Sequence, residues 1–331
     1  MLDCKDFMKI ATTFLTFFIT VLPSLAQTKD STSVAVGKAI TDKFPSTRNF
    51  DFQFEQFGSS DYKTKVLGDV FEQGTLEQHN RIRFAVNFPL YRSVNKKFFI
   101  TNSVRYKREA FSFGEINNTA GDVGRNNIDF NYFANAVSFT YFSSLFKKPV
   151  IYNASATVDA DQYHFQRLKG LVSASFVLKK NATTTLTVGG LLILDPSSIV
   201  PFVPIFTYEH QLRNSPWKLD FILPQRMLFK RPLLNNGRLS LGTEMISENF
   251  YLALNNPTFR GTYEMNQLEL RSGITYEYAL QKSLIGTFKT GISNVLSSRI
   301  TERGERTNKY VIDNKQDAQF YFNIGISYNP F

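Results

Sequence analysis

Cysteine is nearly absent. Cys4 is the only one in 331 residues, and it lies upstream of the first apolar run. It is not the lipidated cysteine that follows a lipoprotein leader, and the chain beyond it has no disulfide, thiol nucleophile or thiolate metal site. Long apolar runs are missing as well. A lipid-facing helix needs about 20 consecutive apolar residues, and nothing after the N-terminal stretch provides them, which excludes a helical membrane protein. Histidine is scarce, with His79, His164 and His210 alone, and no short His-x-Ser pairing occurs. A glycine-rich phosphate loop, zinc-ligand spacing and a nucleophile elbow are also lacking. No cofactor or metal is expected.

Aromatic residues are plentiful: 33 Phe and 15 Tyr at a mean hydropathy of −0.20. The apolar content is therefore spread over many short segments. Met8–Ala26 (MKIATTFLTFFITVLPSLA) has a lysine, an apolar run from Ile10 to Leu22 and a Ser24-Leu25-Ala26 cleavage pattern, so residues 1–26 read as a signal peptide whose true start is Met8. Gln27–Arg48 is polar and aperiodic, and reads as a periplasmic lead-in or a short plug.

From Asn49 onward, strand-like stretches follow one another. Successive side chains of a strand point to opposite faces, and several stretches show one apolar and one polar face. Phe50, Phe52 and Phe54 alternate with Asp51, Gln53 and Glu55. Asn80–Leu90 and Lys97–Lys107 repeat the pattern, as does Met265–Leu280, where Leu268, Leu270, Ile274, Tyr276 and Tyr278 oppose Gln267, Glu269, Arg271, Thr275 and Glu277. Gln319–Tyr328 places Phe320, Phe322, Ile324, Ile326 and Tyr328 on one side. Trp217–Phe229 reads as one strand with a local break at Pro224, and Phe250–Leu254 as a separate short strand. Asn127–Phe142 changes parity near Ala134, as at a bulge. Pro204 interrupts Pro201–Glu209, because proline removes a ladder donor.

Connection lengths alternate. Gly58–His79, Glu109–Asn126, Asp159–Gly170, Asp195–Val200, Lys230–Gly237, Asn255–Glu264 and Ser297–Ala318 read as longer. Tyr91–Lys96, Ser143–Pro149, Lys179–Ala182, Arg213–Pro216, Ser247–Asn249 and Gln281–Ser283 read as short. Outer-membrane barrels have short periplasmic turns and longer outer loops. The pattern predicts an all-β fold, an antiparallel transmembrane β-barrel over residues 49–331 with about fourteen strands, or twelve if the weakest stretches are loop. Asn49–Phe57 is expected to close it against Gln319–Tyr328.

Through the signal, the alternating strands and the terminal Phe331, the chain resembles the outer-membrane β-barrel proteins of Gram-negative bacteria, most of all the uncharacterised barrel families. The resemblance implies the cell outer membrane as location, with membrane lipid and the barrel-assembly machinery as partners. Phe331 departs from the usual ending, being out of phase with Phe320–Tyr328. Such families carry no catalytic residues over to this chain.

If the apolar faces meet lipid, the charged residues between them line the lumen: Arg81, Arg83, Arg105, Lys107, Lys218, Asp220, Arg226, Arg238, Glu244, Glu269, Arg271, Glu277 and Lys289. Basic groups outnumber acidic ones in this set. One reading is a basic water-filled pore that passes or binds a small solute and favours anions, since rings of Arg and Lys select by sign. The other is a lumen crossed by ion pairs, making a structural or adhesive barrel whose outer loops bind partners. A lipid-modifying enzyme carried by residues distant in sequence is a third, with His210→Ala as the control in a trial hydrolysis of phospholipid or lipid A. On the assigned faces, Leu270→Arg is costly and Arg271→Leu cheap. Asp159, Asp161 and His164 form a compact cluster but lack the glycine and late glutamate of a calcium loop, and read as a solvated loop. Arg299–Arg306 reads as a hydrated loop tip. The net charge of +10 lies on alternating strand positions, not in one patch, and points to no nucleic-acid partner.

Overall fold

In a computed structural model, residues 44, 47–118, 127–198, 200–255 and 258–330 are described. The expected signal, Cys4, most of the lead-in and Phe331 lie outside them. Sixteen β-segments make one continuous sheet: β1 (Phe50–Phe57), β2 (Ser60–Val66), β3 (Asp69–Arg92), β4 (Phe98–Asn118), β5 (Asn127–Leu145), β6 (Lys148–Ala160), β7 (Phe165–Lys180) and β8 (Thr184–Leu194), then β9 (Phe202–Gln211), β10 (Lys218–Leu223), β11 (Arg226–Leu233), β12 (Gly237–Asn255), β13 (Arg260–Ala279), β14 (Leu284–Glu302), β15 (Ile312–Gln316) and β16 (Gln319–Tyr328). β1 and β2 lie end to end along β3, and β15 and β16 lie end to end along β14. Each such pair acts as one strand, so the ring has fourteen antiparallel strands. β1 closes it against β16 from Phe50↔Tyr328 to Phe57↔Tyr321.

The lower end of the barrel is the one that holds Phe50 and Tyr328. Tight turns join strands there, such as Phe146-Lys147, where both residues have positive φ (53° and 59°), the backbone of a two-residue hairpin whose twist matches that of its strands. The upper end is uneven. β3 has 24 residues, β4 has 21 and β13 has 20, against 6 in β10 and 8 in β11.

A belt of apolar side chains is exposed around the outside, including Phe52, Phe84, Val104, Phe133, Val137, Leu192, Met227, Phe229, Ile274, Phe288, Ile292, Phe320 and Ile324. Such an area has no place in water, whereas it suits a hydrocarbon solvent. Charged side chains fill the inside, where Arg81, Glu109 and Glu269 have at most 1 % of their surface exposed. The fold is an inside-out β-barrel with a lipid-facing exterior.

Several sequence expectations need correction. Gly58–His79 is a long hairpin and not a loop, turning at Leu67-Gly68. Among the described residues, the expected loops Glu109–Asn126, Asp159–Gly170 and Asn255–Glu264 are mostly strand and Ser297–Ala318 is half strand, because β4, β6, β7, β13, β14 and β15 run well into them. Trp217–Phe229 is two strands, β10 and β11, turning at Pro224 and Gln225. Ser247–Asn249 is not a turn, because β12 runs unbroken to Asn255 and pairs with β13 throughout. Phe250–Leu254 is thus the upper end of β12. Lys230–Gly237 contains only a lower-end turn at 234–236. One strand gained and one lost leave the count at fourteen.

The parity change near Ala134 involves no bulge, since β5 keeps a continuous register with β4 and β6. Above the belt the apolar residues turn inward. Phe130 and Tyr132 join a core of Phe250, Tyr263, Met265 and Ile300. The pattern reverses because the surroundings change from hydrocarbon to water, with the strand geometry unaltered.

Candidate functional site: a partitioned lumen

Strand parity sends alternate side chains of each wall into the lumen, and on one half of the ring these meet. Arg81 of β3 is the hub. Its Nη2 donates to Glu109 of β4 and, at 2.7 Å, to Glu269 of β13, while its Nη1 reaches Glu55 of β1 at 3.3 Å and Glu248 of β12 at 3.4 Å. Arg271 donates to Glu269 at 2.5 Å and to Glu55 at 3.0 Å. Lys107 meets Glu248 at 2.5 Å, and Arg83 also pairs with Glu248. Four cations thus face four carboxylates from both sides of the lumen.

Aromatic rings complete this partition. His79 stacks between Phe57 (4.1 Å) and Phe111 (4.4 Å) and contacts Glu109 at 2.5 Å through Nε2. The guanidinium groups of Arg81 and Arg271 lie 5.1 and 5.0 Å from the Phe57 ring. Lys107 Nζ sits 3.9 Å from the Phe250 ring. A buried charge is tolerable only when paired and hydrogen-bonded, and each of these is. Arg271→Leu is therefore not the cheap substitution expected from facing alone.

A second layer lies above it. Lys169 of β7 bridges Asp159 (2.8 Å) and Glu264 (3.1 Å), and Arg167 joins Glu264 (2.5 Å) to Asp195. Tyr132 and Tyr251 donate to Asp159 at 2.7 and 3.2 Å. Ser197, in the connection after β8, accepts from the Thr307 hydroxyl at 2.5 Å and donates to Glu264 at 3.4 Å. This layer roofs the lumen and ties the short side of the ring to β13.

The remaining lumen-facing charges lie lower. Asp220 takes Arg226 (3.0 Å) and Lys230. Lys218 meets Glu209 at 2.5 Å, Arg238 meets Glu277 at 2.6 Å, and Lys289 meets Glu244 at 3.1 Å. Arg105 is different: its position on β4 alternates with the outward Val104 and Tyr106, yet it is exposed. It has no ion-pair partner among the described residues.

The residues missed from sequence are chiefly acids. Apolar alternation places Glu109, Asp159 and Glu264 in loops and Glu248 in a turn, whereas Glu55 stands on the polar face of its strand. His79 is fully buried in β3 and not in a loop, while His210 stacks on Tyr208 and bonds Thr184 at 2.9 Å. Asp161 accepts from the backbone N–H groups of Tyr163 and His164, both at 2.8 Å, and so shapes its own turn.

The wall from β6 to β9 is lined differently. Its inward positions on β6 to β8 include small polar side chains, namely Asn153, Ser155, Thr157, Ser173, Ser175, Thr185 and Thr187, none of them buried, alongside apolar ones such as Ile151, Leu171 and Val177. Their partial exposure marks a crescent of the lumen along β6 to β9 that the partition does not fill.

No family model and no curated protein matches the sequence. Solved structures with a similar outline include an outer membrane channel from Pseudomonas putida F1 (7% identity, 86% of this chain and 97% of that one, TM-score 0.36). The toluene transporter TbuX from Ralstonia pickettii (8%, 86% and 90%, TM-score 0.29) and the outer membrane protease OmpT from Escherichia coli (10%, 85% and 96%, TM-score 0.29) are others. They are a channel, a transporter and a protease, so the functional reading rests on the geometry of this chain.

Proposed function

We propose that this barrel sits in the outer membrane and serves the passage or binding of a small solute, taken up in the crescent along β6 to β9. The observation that carries the reading is the contrast between the two walls. Inward side chains of β3, β4, β12 and β13 are buried in ion pairs, whereas the small ones of β6 to β9 keep access to solvent. Sign selection by the partition itself is not supported, because its cations and carboxylates balance. An anion preference rests instead on Arg105, the exposed lumen cation.

Thiol chemistry tests this cleanly in a Cys4→Ser background, since no other cysteine exists. Ser173→Cys in the folded barrel is expected to react with a small water-soluble methanethiosulfonate, and at least tenfold more slowly with a maleimide on a polymer of several kilodaltons. A second reading, the structural barrel with partner-binding loops, is favoured by the partition and the roof. Unreactive Ser173→Cys in heat-modifiable, folded protein would establish it and overturn the solute reading.

A further inference from the structure

The hairpin of β10 and β11 is too short for the wall it belongs to. A transmembrane strand tilted by about 45° needs about 9–11 residues, and these two have 6 and 8. At ~3.3 Å per residue, β10 covers about 20 Å along its own axis, hence ~14 Å of a band ~25 Å tall. The shortfall lies entirely at the top. At the bottom, Lys218 pairs with Gln211, the last residue of β9, and Leu233 with Gly237, the first of β12.

Among the described residues, neither neighbour therefore has a partner strand on this side above the hairpin, and the upper part of β12 leans inward onto β5, Phe250 on Phe130 and Tyr251 on Tyr132. β9 loses β10 beyond Leu223↔Phe206, so Phe202–Ile205 pairs only with β8. β12 loses β11 beyond Glu244, apart from the Met245 N–H donating to Gln225 at 2.7 Å. Pro204 sits in the unpaired part of β9, where a proline deprives no neighbouring strand of a donor. The gap has a lintel, formed where Ser197 and Arg167 meet Glu264 of β13. Its sill is the Pro224-Gln225 turn.

The gap opens onto the lipid belt, since Met227, Phe229, Phe202 and Leu192 around it are exposed to the outside. Behind it, the upper inward positions of β7, β8 and β9 are apolar: Leu171, Leu191, Ile193, Val203 and Ile205, none fully buried. Lower on the same wall the inward side chains include Ser173, Ser175, Thr185 and Thr187. An apolar lining that continues the outer belt through a break in the wall matches an apolar guest arriving from the membrane.

We propose that this gap is a lateral window admitting the acyl chain of a membrane amphiphile into the crescent, whose axial exit is roofed. The inference rests on the solute reading above and gives that solute a chemical class and a route.

The test places a bimane label on single cysteines in a Cys4→Ser background, in vesicles of phosphatidylcholine brominated at mid-chain. Leu192→Cys faces lipid and is quenched in any case. Leu191→Cys and Val203→Cys point inward behind the window, and Ser138→Cys points inward on β5, away from it. The expected result is quenching at Leu191→Cys or Val203→Cys of at least half that at Leu192→Cys, with Ser138→Cys at least fivefold lower. Quenching at both window reporters no greater than at Ser138→Cys would overturn the window. If Ser173→Cys still reacts with the aqueous reagent in that case, the small-solute reading survives without it. If both signals fail, both readings fall.

Discussion

Arg81 shows what a single residue contributes here. Its guanidinium is fully buried and touches carboxylates from β1, β4, β12 and β13. Removing one partner of such a cluster leaves the others buried and uncompensated, which costs about 3–5 kcal/mol. Arg81→Ala should therefore lower the free energy of unfolding from vesicles by that amount, measured by denaturant titration. A double variant with Glu109→Gln should recover part of the loss, because it removes one of the orphaned charges. The individual charges were legible as inward-pointing members of alternating strands. Their partners were not, since Glu109, Glu248 and Glu264 lie where apolar alternation fades and strand reads as loop. Those three acids reduce the apparent surplus of basic groups.

Among the elements, the row Gly242–Gly273–Gly291 lets the backbones of β12 to β14 approach closely. These residues pair directly across three strands. A Cβ on Gly291 would stand 2.1 Å from the Ser272 carbonyl oxygen, so the backbones approach more closely there than any side chain allows. Gly291→Ala is expected to cost about 1–3 kcal/mol by overpacking, read in the same titration. At Gly286 the nearest atom to an added Cβ is 3.7 Å away, and Gly286→Ala should stay within about 0.5 kcal/mol of the parent. The elements legible in sequence were those that cross lipid with a polar lumen behind them. Alternation failed in two places. Above the belt, Phe130, Tyr132 and Phe250 turn inward to a watery exterior. At Pro224 the outward apolar set runs across a turn, from Leu219 and Phe221 to Met227 and Phe229, without changing phase.

For the whole molecule, the decisive quantity is the direction of the apolar stripe. Closure of β1 on β16 was legible because both stretches alternate cleanly, and Asn323 and Ser327 sit buried opposite the exposed Ile324 and Ile326. The uneven height of the ring was not legible. Strand length above the membrane depends on contacts between distant strands, such as Tyr251 with Asp159, which no local pattern encodes. Above the short hairpin of β10 and β11, Arg167 of β7 and Ser197 after β8 are tied to Glu264 of β13.

The most direct test of the account replaces one residue of the stripe by a charge. Ile324 is 55 % exposed and lies within the belt. In refolding titrations from lipid vesicles, Ile324→Arg should cost about 2–4 kcal/mol, the depth-dependent penalty for a cation on the lipid face of a barrel. An unchanged or increased stability of Ile324→Arg in vesicles would mean that this face meets water, and the inside-out barrel, its crescent and its window would all be contradicted.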